Sequence, residues 1–197
     1  MKLTVLEDCS PYYIRLTHDG IDDIIKKCLE YSDGVNFKKF PFYHHLYRLG
    51  QADEILNLVP VAKDLKLNPG RVSLFVTQPG YYYRPHKDGV NHRVSLNYTI
   101  KILDNKCVTS WYDDESLKSY PIDLLGGRSR EVDGFVKDKH TPLKSMTAIQ
   151  GECILFNTEI FHDFDNSIST NERMVLTLRS KDPGSLYFDD ARKILGV

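Results

Sequence analysis

No apolar run in the chain approaches the roughly 20 residues that a helix needs to span a bilayer. The first eight residues, Met1 to Asp8, show neither the apolar core nor the cleavage pattern of a secretory signal. The expected compartment is therefore the cytoplasm, with no membrane partner. Cysteine is scarce as well: Cys9, Cys28, Cys107 and Cys153 are scattered without a C-x-x-C pair. That excludes a readable zinc knuckle or dithiol redox motif, and four free thiols fit a reducing compartment. Nor is there an excess of basic residues. Lys and Arg number 26 against 27 Asp and Glu, a formal net charge of −1, so no general nucleic-acid binding is expected.

What is present describes an ordinary folded domain with a β bias. The 41% hydrophobic and 27% charged residues are those of a globular protein, and twelve tyrosines lean towards strands. A length of 197 residues suits one domain with a substantial core. Residues 1–70 read as helical and strand support, 71–180 as an all-β core and 181–197 as a C-terminal tail. In the first part, Ile21, Ile24, Ile25, Cys28 and Leu29 recur at helical spacing after Asp19, a plausible N-cap. A second helical segment starts at Ala52 and is limited by Pro60. Adjacent His44 and His45 point to opposite faces of any strand, so no shared ion is assigned to them.

From Arg71 onward, short β-branched and aromatic runs alternate with turn residues. About eight strands are expected, near 72–77, 81–86, 93–101, 108–112, 143–148, 153–156, 161–164 and 174–179, with turns at Pro79-Gly80 and Gln150-Gly151. Eight strands after helical segments suggest a jelly roll. Two strands have one polar and one apolar face. Arg93, Ser95, Asn97 and Thr99 oppose Val94, Leu96, Tyr98 and Ile100; Arg173, Val175 and Thr177 oppose Met174, Leu176 and Leu178. If helices cover the apolar faces, the polar ones line the barrel. The connection 113–141, with its Gly126-Gly127 pair and lone His140, is too long for a plain turn and is expected to select the substrate.

The chemistry concentrates in a few positions. His86 and Asp88, two apart, leave one face of one strand and can reach a single metal ion. His162 is the candidate third ligand, because a closed sheet brings distant strands side by side. Two histidines and one carboxylate on an octahedral ion leave adjacent positions open. Arg173, at the start of the last strand, would place a guanidinium in the mouth, suited to grip a carboxylate bidentately. Thr177 on the same face would donate to that carboxylate, with Ser95 and Asn97 across the barrel.

His86-x-Asp88, the strand Gly151-x-Cys-Ile-Leu-Phe156, His162 and Arg173 together resemble the Fe(II)/2-oxoglutarate-dependent oxygenases in order and approximate spacing. Pro79-Gly80, Asn91, Arg93, Asn97 and the run from Phe156 to His162 are similar to the aspartyl/asparaginyl β-hydroxylase branch. Asp88 departs from the animal aspartyl hydroxylases, and Asn97 stands where they have a histidine. Prolyl hydroxylase-like enzymes share the His-x-Asp, His and basic-residue order. The resemblance implies a mainly β, double-stranded β-helix (jelly roll, cupin-like) fold. It implies Fe(II) held by His86, Asp88 and His162, with 2-oxoglutarate as cosubstrate and O₂ as oxidant. Arg173, Thr177, Ser95 and Asn97 would hold the cosubstrate. The implied reaction hydroxylates an unactivated C–H bond of a peptidyl or free amino acid, or of another small molecule, releasing succinate and CO₂. The alternative from another class is a non-catalytic cupin-like metal-binding or sensor module.

Overall fold

The structure is a computed structural model describing residues 3–33, 44–48, 52–88, 93–115, 117, 119–124, 127–132, 135, 137–180 and 186–197. In chain order the elements are β1 (Thr4–Cys9), β2 (Tyr13–Thr17), α1 (Ile21–Ser32), β3 (His44–Arg48), α2 (Ala52–Leu56), β4 (Leu67–Thr77), β5 (Tyr81–Lys87) and β6 (Val94–Lys101). They continue with β7 (Val108–Tyr112), β8 (Ser119–Leu124), β9 (Gly127–Val132), β10 (Lys144–Thr147), β11 (Cys153–Asn157), β12 (Phe161–Asn166), β13 (Arg173–Ser180) and α3 (Phe188–Leu195). The strands form two antiparallel sheets. The larger has the order β1-β2-β11-β6-β13-β4-β3 and the smaller β10-β7-β12-β5-β9-β8.

From β4 to β7 and again from β10 to β13, each strand lies in the other sheet from the one before it, and this winds the chain into a double-stranded β-helix. The eight strands expected from the sequence are β4 to β7 and β10 to β13. Pro79-Gly80 and Gln150-Gly151 are tight turns, because Gly80 (φ 76°) and Gly151 (φ 81°) adopt left-handed conformations that favour glycine. The N-terminal part adds β1 and β2 beside β11 and β3 beside β4.

The alternation in β6 and β13 sorts the two faces as expected. Val94, Leu96, Tyr98, Ile100, Met174, Leu176 and Leu178 are buried on the outer face, packed with Ile21, Ile24 and Cys28 of α1 and Ile55 of α2. Burying each large aliphatic side chain contributes about 1.5–3 kcal/mol, so this layer fixes the larger sheet against the helices. A second cluster, Tyr13, Trp111, Met146, Ile154 and Phe156, fills one side of the barrel. Trp111 stacks on Tyr13 with ring centroids 5.1 Å apart.

Two local expectations change. The first helix begins after Gly20, not Asp19, and has no side-chain cap; the His18 ring accepts the Gly20 N–H instead. The 113–141 connection also carries structure. β8 and β9 form a hairpin there, and β9 pairs with β5, placing Glu131 opposite His86 in register. The return segment docks on the outer face of the smaller sheet. Phe135 stacks on Tyr82 (6.3 Å) and meets Tyr112 edge-on (5.3 Å), and Lys137 pairs with Asp165. Among the described residues, no helix is long and apolar enough to cross a membrane.

Candidate metal centre

The smaller sheet brings the two histidines face to face. His86 on β5 and His162 on β12 are cross-strand partners, with ring centroids 4.5 Å apart. Asp88 follows the end of β5, and its N–H donates to the Thr158 carbonyl at 3.3 Å, anchoring it beside the β11–β12 turn. One ligand atom from each of His86, Asp88 and His162 lies within 4.8 Å of the others. Both histidines are buried and Asp88 is half-buried.

Hydrogen bonding fixes the imidazoles in a ligating form. His86 Nδ1–H donates to the Arg84 carbonyl at 3.0 Å and His162 Nδ1–H to the Ile160 carbonyl at 2.9 Å. Each Nε2 lone pair is thereby left for an ion, the arrangement that orients metal-ligating histidines. Burial, followed by the neighbouring His86, pushes the His162 imidazole down to about 3, so it is neutral at physiological pH. Burial works against the Asp88 charge. The neighbouring His86 imidazole and the charge of Arg179 outweigh it and hold the carboxyl well below the usual carboxylate range. Asp88 Oδ1 lies 3.4 Å from His86 Nε2. A carboxylate oxygen and an imidazole lone pair facing each other at that distance call for a cation between them. Two imidazoles and one carboxylate suit a divalent first-row metal, iron included.

The predicted cosubstrate residues line the inward face of the larger sheet. Thr177 pairs in register with Asn97 and Ser73, and Ser95 pairs with Phe156. Ser95 and Thr177 are buried, and Asn97 Oδ1 is buried with no hydrogen-bond partner. Arg173 is 4% exposed, and its Nε is buried without a hydrogen-bond partner. Among the described residues no carboxylate pairs with it. Its guanidinium carbon lies 5.1 Å from the Phe164 ring centroid, which is 5.7 Å from that of His162, so the two sites are within about 11 Å.

Sequence reasoning assigned no role to three residues that also face this space. Arg179 on β13 reaches Asp88 Oδ2 at 3.0 Å. Trp111 pairs with His162 and Thr109 with Phe164 across β7 and β12, and both Trp111 Nε1 and Thr109 Oγ1 are buried without partners. Strand parity is the signal for all three. Arg179 shares the face of Arg173 and Thr177, and Thr109 shares that of Trp111. The tyrosine run divides between the two faces, and the register shift between Tyr83 and His86, where three steps on β5 oppose two on β12, brings Tyr83 to the side of His86. Tyr83 meets His86 edge-on at 4.4 Å, whereas Tyr82 points away and donates to Asp163 at 3.0 Å. Asn91 and Gly126 lie outside the described residues.

This is a double-stranded β-helix protein with a candidate centre of two histidines and one carboxylate. The chain matches no protein-family profile and no curated protein. Its fold is similar to that of AviO1 from Streptomyces viridochromogenes Tue57, with TM-score 0.50 and 14% identity over 87% of this chain and 91% of that one. The epimerase SnoN, solved with Fe³⁺, alpha-ketoglutarate and nogalamycin RO, gives TM-score 0.47 and 11% identity, covering 88% and 82% of the two chains. Oxalate oxidase gives 0.41 and 12%, covering 76% and 57%. At these identities the likeness is one of fold, and function has to be argued from the site.

Proposed function

We propose that the chain is an Fe(II)- and 2-oxoglutarate-dependent dioxygenase that hydroxylates an unactivated C–H bond, with a peptidyl or free amino acid as the favoured substrate. The observation that carries this reading is Arg173. A buried guanidinium with no carboxylate partner among the described residues, within about 11 Å of a candidate metal triad, is costly in the free protein and calls for an anionic ligand. A purely structural metal site has no use for it.

In this reading His86, Asp88 and His162 hold the iron. Iron, 2-oxoglutarate and O₂ together supply the oxidation: one oxygen atom ends in succinate, formed with loss of CO₂, and the other in the hydroxylated product. The protein's residues do positional work. Arg173 takes the distal carboxylate of the cosubstrate in a bidentate grip. Thr177 and Thr109 have hydroxyls to donate to the same molecule, and Asn97 would meet it through its amide NH₂. Phe156, Phe164 and Trp111 wall the space and exclude water. The β8–β9 hairpin, paired with the strand that carries His86, is the substrate-selecting element.

The test is anaerobic addition of Fe(II) and 2-oxoglutarate to purified protein, reading the visible charge-transfer band and, after admission of O₂, succinate. Wild type gives both signals and His86→Ala gives neither. Equal results from the two proteins would overturn the reading.

A further inference from the structure

β13 has two inward-facing arginines with different surroundings. Arg173 has no carboxylate partner among the described residues, whereas Arg179 gives Nη2 to Asp88 Oδ2 at 3.0 Å. The other oxygen of Asp88, Oδ1, faces the histidines, 3.4 Å from His86 Nε2. The two carboxylate oxygens therefore have separate partners, one from each sheet.

The arrangement matters for how many positions a bound ion keeps open. An octahedral ion has six. Two imidazoles and one carboxylate oxygen use three of them, but a carboxylate ligating through both oxygens raises the total to four. We propose that Arg179 is a positioning residue that occupies Asp88 Oδ2 and so keeps Asp88 a one-oxygen ligand. The centre then has three open positions instead of two. The inference rests on the function proposed above, in which a chelating 2-oxo acid fills two positions and O₂ the third.

Stability alone does not account for the contact. The Arg179 and Asp88 side chains are only 19% and 18% exposed, and a largely buried ion pair gives back in lost hydration much of what it gains in attraction. What the contact does decide is direction. A guanidinium projecting from the larger sheet holds one oxygen of a ligand on the smaller sheet away from the ion.

The test uses Co(II) as a spectroscopic probe under anaerobic conditions, with wild type, Arg179→Met, Arg179→Gln and Arg179→Lys. Thermal melting of each metal-free protein controls for folding. Co(II) is bound by all four. The visible Co(II) bands of Arg179→Met and Arg179→Gln differ from wild type before any acid is added. Their Co(II) forms bind 2-oxoglutarate about tenfold more weakly, the lower end of the effect expected for a residue behind a metal ligand. Arg179→Lys, which keeps the charge, recovers part of both. Wild-type bands together with wild-type 2-oxoglutarate affinity in either neutral variant overturn the proposal. If the wild-type Co(II) protein binds no 2-oxoglutarate, the proposed function falls, and the Co(II) bands of the variants still decide the role of Arg179.

Discussion

Replacing Arg173 with Met should move stability and ligand binding in opposite directions. In the free protein the guanidinium is 4% exposed and its Nε has no hydrogen-bond partner. An unsatisfied buried donor costs about 1–3 kcal/mol, more when the group is charged. Methionine fills similar volume without that cost, so Arg173→Met is expected to hold or gain about 1–3 kcal/mol in the free state. For a chain of this size that is a rise in Tm of about 2–4 °C per kcal/mol. Binding pays the opposite way, because the carboxylate that Arg173 would meet is left without its partner, at roughly 3–5 kcal/mol. That loss is roughly 10²- to 10⁴-fold in the Kd for 2-oxoglutarate. Differential scanning calorimetry with and without Mn(II) and 2-oxoglutarate reads both effects, and isothermal titration calorimetry gives the Kd. The reasoning is refuted by a variant that melts below wild type yet keeps the full ligand-induced shift, since Arg173 would then be a structural cation.

Two further outcomes follow from buried titratable groups. His162 is held neutral down to about 3, against an ordinary value of 6.5. Below pH 6.5 the unfolded chain takes up a proton that the folded one refuses. Metal-free stability should therefore fall by about 1.4 kcal/mol per pH unit towards pH 3, and His162→Gln should flatten this limb in urea titrations. An unchanged slope would place the acid sensitivity elsewhere. Asp163 is fully buried and accepts from Tyr112 (2.7 Å), Tyr82 (3.0 Å) and the Ser110 N–H (2.9 Å), tying β5, β7 and β12 together behind the histidines. Asp163→Asn turns an NH₂ towards these donors and should cost about 1–3 kcal/mol, read as a lower urea midpoint. Burial raises the Asp163 carboxyl, so its folded form prefers the proton. Wild-type stability from this group falls as pH rises above 3.8, and the gap to the variant narrows accordingly.

The parts of the fold that were legible in the sequence are those with one face buried and one not. β6 and β13 alternate because their apolar faces meet the helices and their polar faces meet the barrel interior, so period two appears directly in the residues. The β8–β9 hairpin is harder to read. Ser119–Leu124 alternates Tyr120, Ile122 and Leu124 with Ser119, Pro121 and Asp123, but Pro121 interrupts the strand signal, and its partner Gly127–Val132 is mostly polar, a composition suited to the edge of a sheet. In the candidate centre, His86 and His162 were recoverable because barrel closure makes distant strands neighbours. Asp88 is placed differently from a simple two-residue repeat. It lies past the end of β5 and is fixed by its N–H bond to Thr158, a contact between loops that strand periodicity does not encode.

The division of labour between the two arginines of β13 was not legible at all, and the reason is physical. Arg173 and Arg179 are the same residue type on the same face of one strand, six positions and about 20 Å apart at the backbone. Nothing local distinguishes them. Their roles come from what the opposite sheet presents at each height: a carboxylate beside the histidines at the Arg179 level, and at the Arg173 level an aromatic ring with, among the described residues, no carboxylate. A cation whose counter-charge is built into the protein can position a ligand. One whose counter-charge is missing is left to bind something that arrives from outside. Depth in the barrel thus assigns the functions, and Asp88→Ala gives the sharpest test of that assignment. Removing the carboxylate frees Arg179, so 2-oxoglutarate binding in that variant should become sensitive to Arg179→Met even without metal, whereas wild type without metal should not.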